Sequence, residues 1–113
     1  ALGSNAAMRG SWFASVSDGL YGQLAGKYRS RFGKAPYRLA SLGYDSVLLT
    51  VRIARDWKPG TNFPAGRLMA ADGFGGIDGI FRFNDRGIAI RALEVSEVGA
   101  GGFRVIDPAP AKW

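Results

Sequence analysis

The spacing of the apolar residues changes partway along the chain, and this change constrains the fold more than any other feature. Before Trp57 the apolar residues recur every three or four positions, which predicts amphipathic helices. From Phe74 onward they alternate with other residues, which predicts strands. Trp57-Lys58-Pro59-Gly60 marks the boundary, because Pro and Gly end helices. The sequence therefore predicts one small α/β unit, with two main helices followed by a β-hairpin and a further strand.

The N-terminal part predicts one strand and the first helix. Residues 1–10 are small and polar and predict a flexible segment, whereas the apolar run at residues 11–16 predicts a strand. Ser17 or Asp18 suits the N-terminal cap of a helix, and Gly33 suits its C-terminal stop. The inward stripe of this helix is predicted to comprise Tyr21, Leu24, Ala25, Tyr28 and Phe32.

A second helix is predicted from about Ser41 to Trp57, ended by Pro59-Gly60. A short third helix is predicted within residues 63–72. The inward face of the second helix is predicted to comprise Tyr44, Val47, Leu48, Val51 and Ala54, and Leu49 and Ile53 are predicted to widen it.

The C-terminal part predicts a hairpin and one more strand. Phe81 and Phe83 alternate with Arg82, the turn chemistry of Asn84-Asp85-Arg86-Gly87 follows, and a second alternating run lies at residues 88–91. The alternation slips at residues 92–93, which predicts a bulge. A strand is predicted at residues 103–106, after the glycine-rich turn at residues 99–102.

The residue types that are absent exclude several kinds of chemistry. The sequence has no cysteine and no histidine, so disulfides, thiolate sites and histidine-dependent catalysis are excluded. Asp72, Asp78 and Asp85 all lie near glycines, which favours turn formation over a catalytic carboxylate pair. We therefore expect no enzymatic activity, no cofactor and no metal site.

The net charge of +6 raises one alternative function. An independent small α+β domain would bind nucleic acid or an acidic surface if its arginines shared one face, and Arg29, Arg31, Arg38 and Arg82 are the candidates. The basic residues are scattered, however, and form no continuous run. Nucleic acid is therefore the less favoured partner.

Several segments, taken in order, resemble one known family. They are the strand Ser11-Trp12-Phe13-Ala14, the helix end Tyr28-Arg29-Ser30-Arg31-Phe32-Gly33, the helix start Ala40-Ser41-Leu42-Gly43-Tyr44-Asp45, and the glycine-rich hairpin at residues 74–87. Together they resemble the C-terminal portion of a type I periplasmic solute-binding protein of the branched-chain amino-acid receptor type. Within that group the chain is most similar to the branch of penicillin-binding protein activators.

The resemblance implies a fold of two α/β lobes, joined by three hinge crossings, that binds a solute between the lobes. Residues 11–72 would match the hinge and first-lobe portion, and residues 73–113 the second-lobe portion. The expected ligand-binding residues are Trp12, Phe13, Leu39, Ala40 and Ser41, with Ser41 offering a hydroxyl and the others apolar walls.

The resemblance also implies partners and a location. The partner is a small amino-acid-like solute or a periplasmic cell-wall synthase, and the location is the periplasm of the bacterial cell envelope. Since members of the family are much longer, we expect the remaining N-terminal part of the same protein to complete the fold. The chain in isolation is expected to cover its exposed faces by refolding, by self-association such as a homodimer, or by binding a companion fragment.

Overall fold

The computed structural model describes residues 2–113 and has the α/β composition that the sequence predicts. Two main helices precede a β-hairpin and a further strand, as expected. The elements in chain order are 3-10 helices at Leu2–Ser4 and Ala6–Met8, β1 (Trp12–Ser15), α1 (Gly19–Phe32), α2 (Ala40–Ile53), a 3-10 helix at Ala65–Met69, β2 (Phe74–Gly76), β3 (Gly79–Phe83), β4 (Ala89–Arg91), β5 (Glu94–Gly99) and β6 (Gly102–Asp107).

The strands form two separate antiparallel sheets of three strands each. In sheet I, β5 lies between β1 and β6, and in sheet II, β3 lies between β2 and β4. The chain passes between the regions of the two sheets at residues 16–18 and again at residues 92–93. Strand pairing therefore groups β1 with β5 and β6, and it separates the β3–β4 hairpin from them. This grouping differs from the division into residues 11–72 and 73–113 that the resemblance implies.

The bulge predicted at residues 92–93 is wrong, because the chain changes sheets there. Ala92 donates its backbone N–H to the carbonyl of Ile80 at 3.0 Å and is buried, and β5 of sheet I begins two residues later. The irregularity of register lies instead within β5, between Val95 and Ser96. The strand β5 itself has no separate signal in the predicted pattern.

The helix ends follow local chemistry. Gly33 has a φ of 72° and donates its N–H to the carbonyl of Arg29 at 2.8 Å, so it ends α1 as predicted. The second helix ends at Ile53, earlier than the predicted Trp57, and residues 54–56 continue as a turn. The predicted third helix is the short 3-10 helix at Ala65–Met69.

The predicted flexible segment at residues 1–10 contains two short 3-10 helices among its described residues. Gly3 is buried, and a Cβ at Gly3 would collide with backbone atoms of Gly99 and Gly102. The segment therefore packs against the turn between β5 and β6. The segment therefore has more local structure than the predicted loop.

The predicted inward face of α2 is wrong at its main positions. Tyr44, Val47 and Val51 expose 43%, 64% and 64% of their surface, whereas Ser41 and Asp45 of the same helix are buried. Ile53, which is expected to widen the inward face, is buried as predicted. The helix packs its more polar side toward the β2–β3 turn, through Ser41 and Asp45. The described chain leaves most of the apolar side exposed, although the hydrophobic spacing alone assigns it to a core.

The overall dimensions also indicate uncovered surface. The radius of gyration is 17.4 Å, whereas a compact domain of this length has about 13 Å. The accessible surface is 8120 Å², whereas a compact monomer of this mass has about 6000 Å². Few apolar side chains among the described residues are buried, and they include Ile53, Phe74 and Phe81. The chain is therefore extended, and it leaves large apolar faces without a partner among its described residues.

Candidate functional site

An arginine just before α2 links three segments of the chain. Arg38 places Nη2 3.0 Å from Oδ1 of Asp18, which precedes α1. Its Nη1 lies 2.8 Å from Oδ1 of Asp78 in the β2–β3 turn, and it donates to Oγ of Ser41 at 3.0 Å. The contact with Asp78 is an ion pair without hydrogen-bond alignment, because that Oδ1 lacks a hydrogen-bond partner. We call Asp18, Arg38, Ser41 and Asp78 the Arg38 cluster.

The inner half of the Arg38 cluster is closed to solvent. Ser41 and Asp78 expose 1% and 4% of their surface. The Ser41 hydroxyl donates to Oδ2 of Asp78 at 2.7 Å and accepts from Arg38, so both of its hydrogen-bonding roles are filled within the chain. Ser41 therefore fixes the start of α2 to the β2–β3 turn, and its hydroxyl has no free role for a ligand.

The electrostatics of the cluster follow from its composition. Burial lowers the pKa of Arg38, but the attraction of Asp78 and Asp18 outweighs it, and the net effect is a raised pKa. The guanidinium also lies 4.1 Å from the centre of the Tyr21 ring. One cation thus faces two carboxylates, so the cluster carries no surplus positive charge. This arrangement is unsuited to holding an anionic ligand.

A second buried carboxylate joins α2 to the same turn. Asp45 exposes 4% of its surface, and its Oδ1 accepts the backbone N–H of Ile77 at 2.8 Å. A Cβ at Gly76 would collide with the carboxylate of Asp45, so the backbone approaches the side chain as closely as a glycine allows. Asp45 and Ser41, four residues apart on one helix face, therefore hold the turn from one side of α2.

The predicted ligand-binding residues lie in two groups on different parts of the chain. Trp12 and Phe13 belong to β1 of sheet I, whereas Leu39, Ala40 and Ser41 lie at the start of α2. Trp12 is 70% exposed and donates Nε1–H to Glu97 at 3.2 Å, while the ring of Phe13 packs edge-on against Phe103. Leu39 is 74% exposed. Trp12 and Leu39 thus offer free apolar surface, and Ser41 does not.

A groove of about 380 Å³ lies between α1 and α2. One of its walls is the apolar face of α2 described above, and Ala40 of the predicted set also lines it. The remaining walls are apolar residues of α1 and of the α1–α2 connection. The groove is lined by Leu24, Tyr28, Pro36, Ala40, Gly43, Tyr44, Val47 and Leu48.

Sequence reasoning missed the three residues that organise this region: Arg38, Asp45 and Asp78. Asp78 is predicted only as a turn former, and Asp45 appears only within a family motif. A signal is present in the sequence, because Ser41 and Asp45, four positions apart, share one side of α2 next to its apolar stripe. That signal identifies a polar face and not the partners it meets.

Among residues 2–113, no group of three or more acidic residues is arranged to hold a metal ion. No helix in the same range combines the length and the apolar character that crossing a membrane requires.

Comparison with known proteins rests on structure. No family model matches the chain, and no curated protein matches it by sequence. A crystal structure of a Rhodospirillum rubrum protein described as a branched-chain amino acid ABC transporter superposes with a TM-score of 0.71, at 26% identity over 90% of this chain. The leucine-binding protein LivK of Thermotoga maritima superposes with a TM-score of 0.52, at 21% identity over 93%. The chain spans 32% of the length of each. It therefore has the fold of part of a type I periplasmic binding protein.

Proposed function

We propose that this chain is the C-terminal portion of a solute-binding protein of the ABC-transporter type, which binds a small amino-acid-like solute and catalyses no reaction. The observation that carries the proposal is the superposition on the Rhodospirillum rubrum protein over 90% of the chain. The absence of histidine and cysteine from the sequence agrees with a binding role. A periplasmic location follows, because such a receptor delivers its solute to a transporter in the membrane.

The arrangement of the chain supports solute binding between two lobes. Sheet I and the unit of α1, α2 and sheet II are joined by short crossings at residues 16–18 and 92–93. Short crossings of this kind permit hinge motion between packed units. We assign sheet I to one lobe and residues 19–91 to the other, so that a solute between them would touch both predicted groups of residues.

Within this proposal the five predicted residues have different roles. Trp12 and Leu39 supply exposed apolar walls, and Phe13 and Ala40 lie next to them along the chain. Ser41 acts indirectly, since its hydroxyl is bonded to Asp78 and holds the helix start on which Leu39 and Ala40 lie. The polar contacts to the amino and carboxylate groups of the solute would come from the part of the fold outside this chain.

The binding test uses the 113-residue chain, with leucine as the probe and ribose as the comparison. We expect saturation-transfer NMR to detect weak leucine binding, with a Kd of about 1 mM, because apolar walls alone contribute limited affinity. The Trp12→Ala variant should lose most of this signal. Its matched control is Trp57→Ala, since Trp57 lies in the loop after α2, outside the predicted site.

No leucine signal, or equal signals from leucine and ribose, would contradict the binding of an amino-acid-like solute. Either result would favour assigning the chain to a penicillin-binding protein activator, in which this fold makes protein contacts and holds no amino acid. Equal losses in Trp12→Ala and Trp57→Ala would contradict the site assignment while leaving the solute class in place.

The apolar face of α2 gives a further expectation. We propose that the rest of the fold covers this face, so the isolated chain should self-associate through it. The surface excess of about 2000 Å² over a compact monomer exceeds the ~800 Å² that each partner buries in a standard interface. Val47→Glu should shift light-scattering mass toward the monomer, because it places a charge among exposed apolar side chains.

The matched control for self-association is Thr50→Glu, which adds the same charge to the same helix at an exposed polar position. Thr50→Glu should leave the mass unchanged. A chain that is monomeric at every concentration before any substitution would contradict this expectation.

A further inference from the structure

The segment after β6 makes a third connection between the two units. Strand β6 ends at Asp107 in sheet I, and residues 108–113 continue without regular structure. The segment then reaches sheet II, where the guanidinium of Arg82 in β3 lies 4.5 Å from the centre of the Trp113 ring. Residues 108–113 therefore start on one sheet and are held by the other.

A glycine forms part of the surface that the Trp113 side chain contacts. Gly73 precedes β2 and has a φ of 65°. A Cβ at this position would collide with the carbonyl oxygen of Phe81, and it would lie 2.7 Å from Nε1 of Trp113. The indole therefore lies against the Gly73 backbone on one side and meets Arg82 through its ring. Together these contacts leave Trp113 only 40% exposed.

The residues between Asp107 and Trp113 favour a stiff connection. They include Pro108 and Pro110 with one alanine between them. Each proline fixes its own φ and restrains the residue before it to extended conformations. Five residues in this conformation span about 16 Å, and a segment of this kind acts as a semi-rigid spacer. Motion at one of its ends is therefore transmitted to the other.

We propose that residues 108–113 form a strap that limits the rotation of sheet I against sheet II, with Trp113 on Arg82 and Gly73 as its anchor. The crossings at residues 16–18 and 92–93 are covalent, so they set where the units hinge. The strap is held at its far end by side-chain contacts, so it can detach. It therefore sets how far the units open, and in the proposed solute-binding protein this is the opening of the cleft.

The test measures the distance between the two sheets in the 113-residue chain, without any solute. Since the sequence has no cysteine, Ala100→Cys in the β5–β6 turn and Arg86→Cys in the β3–β4 turn take one spin label each. We expect Trp113→Ala to raise the population of long inter-label distances about two- to fivefold, which is the effect of losing one exposed cation–π contact. Arg82→Gln should act in the same direction, because it removes the cation and leaves the indole.

The matched control is Trp57→Ala, because Trp57 is also 40% exposed and packs against Phe63 within its own unit. It should leave the distance distribution unchanged. The strap is refuted if Trp113→Ala and Arg82→Gln leave the distances as they are, or if Trp57→Ala changes them equally. Circular dichroism on each variant identifies any variant that fails to fold. If Trp113→Ala does not fold, the distances measured in Arg82→Gln test the strap. The result does not depend on solute binding, so it separates failure of the strap from failure of the proposed function.

Discussion

Gly76→Ala is expected to destabilise the chain by about 3 kcal/mol, since it combines overpacking with the loss of a buried hydrogen bond. The added methyl group would collide with the Asp45 carboxylate, which is itself buried and bonded to the N–H of Ile77. Either the β2–β3 turn moves away from α2 or Asp45 gives up its bond. Urea denaturation followed by circular dichroism measures the change.

The neighbouring glycine provides the control. A Cβ at Gly75 has open space around it, and Gly75 has no positive φ, so Gly75→Ala should change stability by less than about 0.5 kcal/mol. Combining Gly76→Ala with Asp45→Ala should cost less than the sum of the two single changes, because the shortened side chain makes room for the methyl group. Equal effects of the two glycine substitutions would show that the close approach of Gly76 to the Asp45 carboxylate does not contribute to stability.

Arg38→Met is expected to destabilise the chain by about 2 kcal/mol, because it leaves the buried Asp78 without a cation. The value lies below that of a fully buried pair, since the Arg38 side chain is 38% exposed. Methionine keeps much of the length of the stem, so the change reports mainly on the charge. Thermal unfolding of the variant and the parent chain measures the difference.

The pH dependence follows from the direction of the Arg38 shift. A cation whose pKa is raised by folding contributes stability that is complete below its unfolded pKa, and this contribution is lost only as the pH rises through the folded pKa. That window lies in strong alkali. The effect of Arg38→Met should therefore be constant across the neutral and mildly alkaline range.

The control for Arg38 is an exposed ion pair in sheet I. Arg104 lies 3.2 Å from Glu97 with 76% of its side chain exposed, so Arg104→Met should cost less than about 1 kcal/mol. If Arg38→Met and Arg104→Met lowered the melting temperature equally, the ion pair with the buried Asp78 would have no special part in stabilising the contact between α2 and the β2–β3 turn.

The sequence predicts those elements that depend on local chemistry. Gly33 ends α1 because a left-handed residue closes a helix there, and Asn84 to Gly87 form the hairpin turn because Asn84 accepts backbone N–H groups within the turn. Both signals lie within a few residues of the structure they specify. For this reason the sequence predicts the α/β class and the position of the hairpin correctly.

The sequence does not predict features that depend on distant partners. The apolar stripe of α2 predicts burial, but Val47 is 64% exposed, because burial depends on which distant segments pack against the helix. The neighbouring side of the helix is buried because Ser41 and Asp45 meet residues 77–78, more than 30 positions away. Of the candidate site, the exposure of Trp12 and Leu39 suits a role in binding, while the engagement of Ser41 by Asp78 was not visible from its residue type.

Sheet I has a consequence for the order in which the chain acquires its structure. Strand β1 pairs with β5 across the chain, and Trp12 and Glu97 are 85 positions apart. Closing such a long loop is slow compared with forming helices and hairpins, whose contacts are local. During synthesis β1 emerges well before β5, so residues 19–91 assemble before these two strands pair. Until β5 arrives, the apolar strand Trp12–Ser15 has an unpaired edge, and this interval is when the nascent chain is most exposed to aggregation.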